Sequence, residues 1–222
     1  RILAQLAEAH YYNDQLKDAA SRYLDLFTNT DPIDIPSPHY HSVKYAQILI
    51  ATDQLEQAEA QMLRWFPRAS FKTNDRRSSA GAVNLAKLYL TWGKLDEARE
   101  YTDLGFDANV RAEIVLYEVQ LRIFEALYHF GLGEYDFANE LIDKLIRYCR
   151  EKNVVPSANN LPPFIGATKL LVRSKCDLDV DMGEFDRLTL EEMPSHNRHV
   201  AVMLRKLRER AYSETKKKMA AT

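Results

Sequence analysis

The stretch Ala86-Lys-Leu-Tyr-Leu-Thr-Trp-Gly-Lys-Leu-Asp-Glu-Ala98 decides the fold of this chain, because it recurs in altered form along most of the sequence. Each copy has a small residue, an aromatic or apolar residue three positions later, a short break, Leu or Tyr, and a closing alanine. The opening and closing residues of the four copies are Ala7 and Ala19, Ala46 and Ala58, Ala86 and Ala98, and Ala126 and Ala138. The closing alanines are 39, 40 and 40 residues apart. A fixed period of this length predicts a stacked array of repeats rather than a single enzyme core.

Each copy has the pattern of a helical hairpin. In the third copy, apolar residues recur at helical spacing at Leu85, Leu88, Tyr89 and Trp92. Gly93 then ends the first helix, and Leu95 and Ala98 continue the spacing on a second helix. The small residues Ala86 and Ala98 allow the two backbones to approach closely, where a larger side chain would force them apart.

The period also gives the organisation of the chain, which we expect to be one all-α domain over residues 1–212. We predict four repeats at about 1–30, 39–69, 75–108 and 110–152, followed by a degenerate fifth repeat and a capping helix within 161–212. Inside this last part we expect a helix over 164–175, a loop over 177–183, a short helix over 184–192, and a final helix from Ser195, its N-cap, to about Tyr212. Residues 213–222 are expected to form a flexible tail.

Composition excludes several classes of function. The 222 residues carry a formal net charge of −2, so no overall field attracts nucleic acid or a membrane surface. No apolar run is long enough to span a bilayer. The two cysteines, Cys149 and Cys176, fit reduced thiols and a cytoplasmic protein. The chain begins with Arg1 rather than Met, and we expect it to be a piece of a longer protein.

The repeated residues resemble the tetratricopeptide repeat family. The best copy matches the family pattern at Ala86, Tyr89, Gly93, Leu95 and Ala98, and the resemblance covers about residues 1–152 with a weaker continuation to 212. The common period of the family is 34 residues, so this chain is similar to its long-period bacterial members. The resemblance implies a right-handed superhelix of antiparallel helix pairs. It also implies a non-catalytic protein without cofactors, whose first helices line a concave groove for a protein or peptide.

Counting from the first-helix alanines gives candidate groove residues. The resemblance implies that Lys44, Asn84 and Lys87 face the groove, flanked by Tyr40, Gln47, Leu90 and Thr91, with Arg122 and Lys169 as continuations. Lys and Asn at such positions hold a peptide carboxylate in some family members. The alternative is that these lysines are solvated on a polar face.

Other candidate sites are weaker. Asp177-Leu-Asp-Val-Asp-Met-Gly183 suggests a calcium loop, but Met182 and Leu188 stand where such a loop needs Gly and Glu, so we expect a solvated acidic turn. His196 and His199 share a helix face but lack a third metal ligand, and we expect no metal site.

Basic residues from Arg198 to Lys218 suggest an anion-binding patch or, in the interpretation we prefer, a solvated face. Tyr11, Tyr12, Tyr40, Tyr45, Trp65 and Phe66 are either partner anchors or packing between repeats.

Two hypotheses about function follow from the sequence. The chain is a scaffold that binds a protein or peptide in its groove, without nucleic acid and without a membrane span. Alternatively, it is the regulatory or sensor half of a larger signalling or transcription-regulatory protein whose effector domain lies outside this chain, and its repeats transmit a signal or form a homodimer.

Overall fold

The structure, a computed structural model, describes residues 2–73, 76–154, 161–176, 180–193 and 197–220. Within these ranges the chain is helical and has no β-strand. The α-helices are α1 Ile2–Tyr12, α2 Leu16–Asn29, α3 Pro38–Ala51, α4 Leu55–Trp65, α5 Arg76–Trp92, α6 Leu95–Ala112, α7 Val115–Gly131, α8 Tyr135–Glu151, α9 Leu161–Arg173, α10 Met182–Arg187 and α11 Arg198–Ala220. Short 3-10 segments cover Pro32–Asp34 and Arg68–Thr73, and a π-helical segment, Leu188–Glu192, follows α10.

The first eight helices form four hairpins whose turns are built in the same way. One residue at each break has a left-handed backbone: φ is 61° at Asp14, 62° at Asp53, 85° at Gly93 and 82° at Gly133. The next residue donates its N–H to the carbonyl five positions back, and these four bonds measure 2.8–3.0 Å. This is the bond that commonly closes a helix, and it requires a residue that tolerates positive φ. Gly supplies that freedom in two turns, and Asp tolerates it in the other two.

The repeat alanines lie where helices meet. All eight, from Ala7 to Ala138, are fully buried. Successive hairpins also contact one another: α2 packs on α3, α4 on α5, α6 on α7, and α8 on α9. The first helices α3, α5, α7 and α9 are neighbours in that order. The helices α3, α5, α7 and α9 therefore contribute to a shared face, which positions the site described below.

Aromatic residues fill the contact between the first two hairpins. The ring of Tyr45 stacks on Tyr23 and Phe27, with centroids 5.9 and 6.0 Å apart, and Trp65 packs 5.8 Å from Phe27. Phe66 is buried next to His39. For Tyr45, Trp65 and Phe66, packing between repeats is thus the role that the structure shows.

The last helix takes a different position from a simple end cap. α11 contacts α9, but it also packs against α3 and α5, the first helices of the second and third repeats. Its buried stripe, Val200, Met203, Leu204 and Leu207, follows the spacing expected from the sequence. The helix therefore packs on α3 and α5 as well as on α9, and it lies over the face formed by the first helices.

Several boundaries differ from those expected. Met182 and Gly183, expected in a loop, begin α10, because the Asp181 side chain accepts the N–H groups of Gly183 and Glu184 and caps the helix. α11 is helical to Ala220, past the start expected for a flexible tail. Residues 177–179 of the acidic loop, the N-cap Ser195 and its neighbours Pro194 and His196 lie outside the described residues.

Candidate functional site

The main candidate site is a cavity of about 700 Å³ on the face formed by the first helices. α3, α5, α7 and α9 supply most of its walls, and one side is closed by Met193, Asn197, His199 and Val200. On α5 the lining residues are Arg76, Arg77, Ala80, Val83, Asn84 and Lys87. They share one helix face, because they recur at intervals of three, four and seven residues. The cavity therefore draws on several consecutive repeats at once.

Five of the seven predicted groove residues line this cavity. They are Tyr40, Lys44, Gln47, Asn84 and Lys87. Thr91 does not: it is fully buried, its hydroxyl donates to the carbonyl of Lys87 at 2.8 Å, and α11 lies against it. The flanking Leu90 is buried in the same way. The face that the sequence assigned to Leu90 and Thr91 is therefore covered by the chain itself.

The continuations proposed for the groove lie elsewhere. Neither Arg122 nor Lys169 lines the cavity. The guanidinium of Arg122 pairs with Glu118 at 2.7 Å and stacks 4.5 Å from the ring of Tyr148 on α8. Hydrogen bonds from Arg122 and Tyr148 hold the pKa of Glu118 below its usual range, against the effect of its partial burial. Arg122 is thus part of a contact between α7 and α8.

A chain of polar contacts crosses the cavity floor. The Tyr11 hydroxyl donates to Gln47 Oε1 at 3.1 Å, and Gln47 Nε2 donates to Asn84 Oδ1 at 3.1 Å. Lys87 Nζ lies 3.4 Å from the same Asn84 oxygen and 3.1 Å from His199 Nε2. These contacts join α1, α3, α5 and α11. The predicted residues Gln47, Asn84 and Lys87 are therefore brought together, and His199 joins them.

Lys87 is buried and not a solvated groove cation. Its side chain is 3% exposed, and burial, with a smaller effect from the charge of Lys44, lowers the pKa of its ammonium to about 7. Near neutral pH this amine therefore exists in both protonation states. A group of this kind responds to what binds next to it, because an added negative charge favours its protonated form.

Lys44 has a different environment, formed by tyrosines. Its ammonium lies 4.9 Å from the ring centroid of Tyr11, 5.3 Å from Tyr12 and 5.6 Å from Tyr40. Cations are attracted to aromatic faces at such distances. Tyr12 and Tyr40 are half-exposed, and Tyr40 also lines the cavity. For these two rings, a role as anchors for a partner therefore stays a prediction.

The basic residues of α11 are engaged within the chain. Arg210 donates to the carbonyls of Leu90 at 2.6 Å and Thr91 at 3.1 Å, at the C-terminal end of α5. Arg198 pairs with Asp14, and Lys206 pairs with Asp53, so the acidic residues of two hairpin turns hold α11. Arg208 pairs with Asp186 at 2.7 Å. Contacts within the chain therefore engage these four side chains, and Arg198 makes its contact while remaining exposed.

Arg76 and Arg77 were missed by the sequence analysis. They lie in the first turn of α5, are exposed, and line the cavity. The signal was present in the sequence, because both share a helical face with Asn84 and Lys87. Both arginines were left out because they lie at the very start of the third predicted repeat, before its first apolar residues.

Within the described parts of the chain, no group of three or more His, Cys, Asp or Glu side chains is arranged to hold a metal ion. Over the same residues, none of the helices combines the length and apolarity needed to cross a membrane.

A scan against protein-family models found no matching family, and searches of curated proteins and of solved structures found no similar protein.

Proposed function

We propose that this chain is a non-catalytic binding module that holds a segment of another protein along its first helices. The hairpins would be tetratricopeptide-like repeats in a right-handed superhelix, with the cavity as part of a concave groove. The observation that carries the proposal is the cavity itself. Side chains from α3, α5, α7 and α9 converge there, although each hairpin alone could present only a single helix face. Repeat arrays use such extended faces to bind partners.

The lining indicates the chemistry of the partner segment. Lys44, Arg76 and Arg77 offer positive charge, and Tyr40 and Tyr117 offer aromatic surface. Aromatic and arginine side chains are common anchors in protein interfaces. An acidic segment with apolar residues fits this lining. The role of orienting the partner, first given to Lys44, Asn84 and Lys87, stays with Lys44 and extends to the two arginines, because Asn84 and Lys87 are buried.

The proposal is tested by charge reversal after the partner has been identified by co-purification from the native cell and mass spectrometry. Lys44→Glu combined with Arg77→Glu should weaken binding on the order of tenfold or more, because an acidic segment would then meet like charge. Arg147→Glu combined with Arg150→Glu makes the same charge change on exposed positions of α8, outside the cavity. Equal affinities for the two double variants, at unchanged helicity, would reject the groove assignment.

The position of α11 favours the regulatory hypothesis as a second candidate. A helix of the chain lies over part of the face where a partner would bind, and exposed ion pairs to Asp14 and Asp53 help to hold it. Exposed pairs contribute little each, so this helix is held weakly at its edges. A partner that competes with α11 should speed hydrogen exchange of the α11 amides. Slower exchange of α11 in the complex would show that the helix is a fixed part of the site.

A further inference from the structure

The charges around the cavity are one-sided. Lys44, Arg76, Arg77 and Lys87 line it, and none of its described lining residues is Asp or Glu. The chain as a whole carries 30 basic and 32 acidic residues, so this separation is local. A cavity lined by one sign of charge, with low-dielectric walls, concentrates ions of the opposite sign.

The two arginines stand at the mouth of the cavity in an unfavourable setting. They occupy the first turn of α5, a turn that has no acidic residue, so their charge adds to the positive end of the helix dipole. No ion pair is found for either of them among the described contacts. Both are exposed, so an anion would reach them without removing a buried charge from water. An acid group bound here would relieve the repulsion and form charge-assisted hydrogen bonds.

Beyond the arginines the cavity also has apolar walls, next to the polar floor formed by Gln47, Asn84 and Lys87. Val43 of α3, Val83 of α5, Leu116 of α7 and Phe164 of α9 form its walls. Val83 follows Arg76 by seven residues on the same helix face, a rise of about 10 Å at 1.5 Å per residue. The arginines and these apolar residues therefore line one cavity, and the separation of Arg76 and Val83 along α5 is about the length of a medium-length hydrocarbon chain. The cavity volume of about 700 Å³ is within the range of small-molecule sites.

We propose that this cavity binds a small amphipathic carboxylate, with its acid group at Arg76 and Arg77 and its hydrocarbon part along Val43, Val83 and Leu116. This ligand class goes beyond the protein partner proposed above. It uses the same cavity and the same two arginines as the protein segment proposed above, so the two ligands exclude each other at this site, and the peptide comparison below decides between them.

Titration calorimetry on the full chain tests the proposal, with decanoate as the probe below its micelle concentration. Decanol has the same chain without the charge, decyltrimethylammonium has the opposite charge, and acetate has the charge without the chain. We expect saturable binding of decanoate, with an affinity at least about tenfold above that of each other probe. Decanol or decyltrimethylammonium binding as tightly as decanoate would overturn the role of the arginines, and acetate binding as tightly would overturn the role of the apolar walls.

Variants locate the site. Arg76→Gln combined with Arg77→Gln should weaken decanoate binding about tenfold, since charge-assisted contacts are lost. Arg147→Gln combined with Arg150→Gln should leave it unchanged. Ala80→Leu, which fills space between the mouth and Val83 and keeps both arginines, should also weaken it. Circular dichroism and thermal unfolding check that each variant is folded.

Two results would overturn the assignment. One is equal decanoate affinity in the two double-arginine variants. The other is an acidic, N-acetylated peptide that binds through Arg76 and Arg77 more tightly than decanoate, which would assign the cavity to a protein segment. The charge-reversal experiment on the protein partner uses a different ligand and does not decide this question.

Discussion

At the scale of single residues, Lys87 shows how burial changes the role of a side chain. The sequence placed it on the groove side, and it does line the cavity, but α11 and the neighbouring amides enclose it. Helical spacing gives the face on which a residue lies. It cannot show whether that face is covered by another helix, because the covering helix is far along the chain: His199 follows Lys87 by 112 positions.

Lys87 makes stability depend on pH in a defined direction. Its pKa is about 7 in the folded chain, below the ordinary value of an unfolded lysine. The unfolded state therefore binds more protons between these two values, and this group makes stability rise as pH increases through that interval. Lys87→Met removes the effect, so we expect the difference in unfolding free energy, wild type minus variant, to increase between pH 7.5 and 10.

Urea unfolding of both proteins at several pH values in this interval measures that difference. Lys169→Met, at a partly exposed lysine outside the cavity, is the control and should give a much flatter difference. A difference that stays constant with pH for Lys87→Met would contradict the burial of the amine.

Gly93 and Gly133 form a matched pair of positions that test the contact between Arg210 of α11 and the end of α5. Both have positive φ, so alanine at either costs about 1–2 kcal/mol of stability. A Cβ at Gly93 would also lie 2.6 Å from Nη1 of Arg210, whereas a Cβ at Gly133 meets nothing within 4 Å. We expect Gly93→Ala to lose more stability than Gly133→Ala in urea unfolding, and to speed hydrogen exchange in α11. Equal losses and unchanged exchange would show that Arg210 does not hold α11 on α5.

At the scale of elements, the hairpins and the last helix follow from the sequence, but the position of α11 over the first helices does not. The turns at Asp14, Asp53, Gly93 and Gly133 are local, because each is fixed by one residue that tolerates positive φ and by a bond to a carbonyl five positions back. The buried alanines belong to the repeated pattern of each hairpin, so their burial could also be predicted from the sequence. The position of α11 depends on surfaces of α3, α5 and α9 that exist only when the hairpins are packed together.

The contact between Phe66, which follows α4, and Gly81 of α5 tests how closely successive repeats pack. Gly81 lies inside α5, and a Cβ there would approach the ring of Phe66 to 2.4 Å. Replacing a helical Gly by Ala ordinarily stabilises by up to about 1 kcal/mol, but overpacking a core costs about 1–3 kcal/mol. We therefore expect Gly81→Ala to destabilise the chain in urea unfolding. Adding Phe66→Leu should recover part of the loss, and a Gly81→Ala variant more stable than wild type would contradict this packing.

At the scale of the whole molecule, the candidate site joins residues that the sequence could and could not identify. Tyr40, Lys44, Gln47 and Asn84 followed from counting along repeats, since equivalent positions of neighbouring first helices meet on one face. The arginines of α5 were recoverable from the same helix face. His199 was not, because its role depends on the path of the chain back across the array.

The central claim is that a partner binds on the first-helix face, and site-specific crosslinking tests it most directly. A photoreactive phenylalanine analogue replaces Tyr40, which is 45% exposed and lines the cavity, or Phe137, which is 42% exposed on the second helix α8. After illumination in the native cell, mass spectrometry identifies any crosslinked protein. The account predicts a crosslinked partner from position 40 and none from position 137. A partner captured only from position 137, or from neither position, would contradict it.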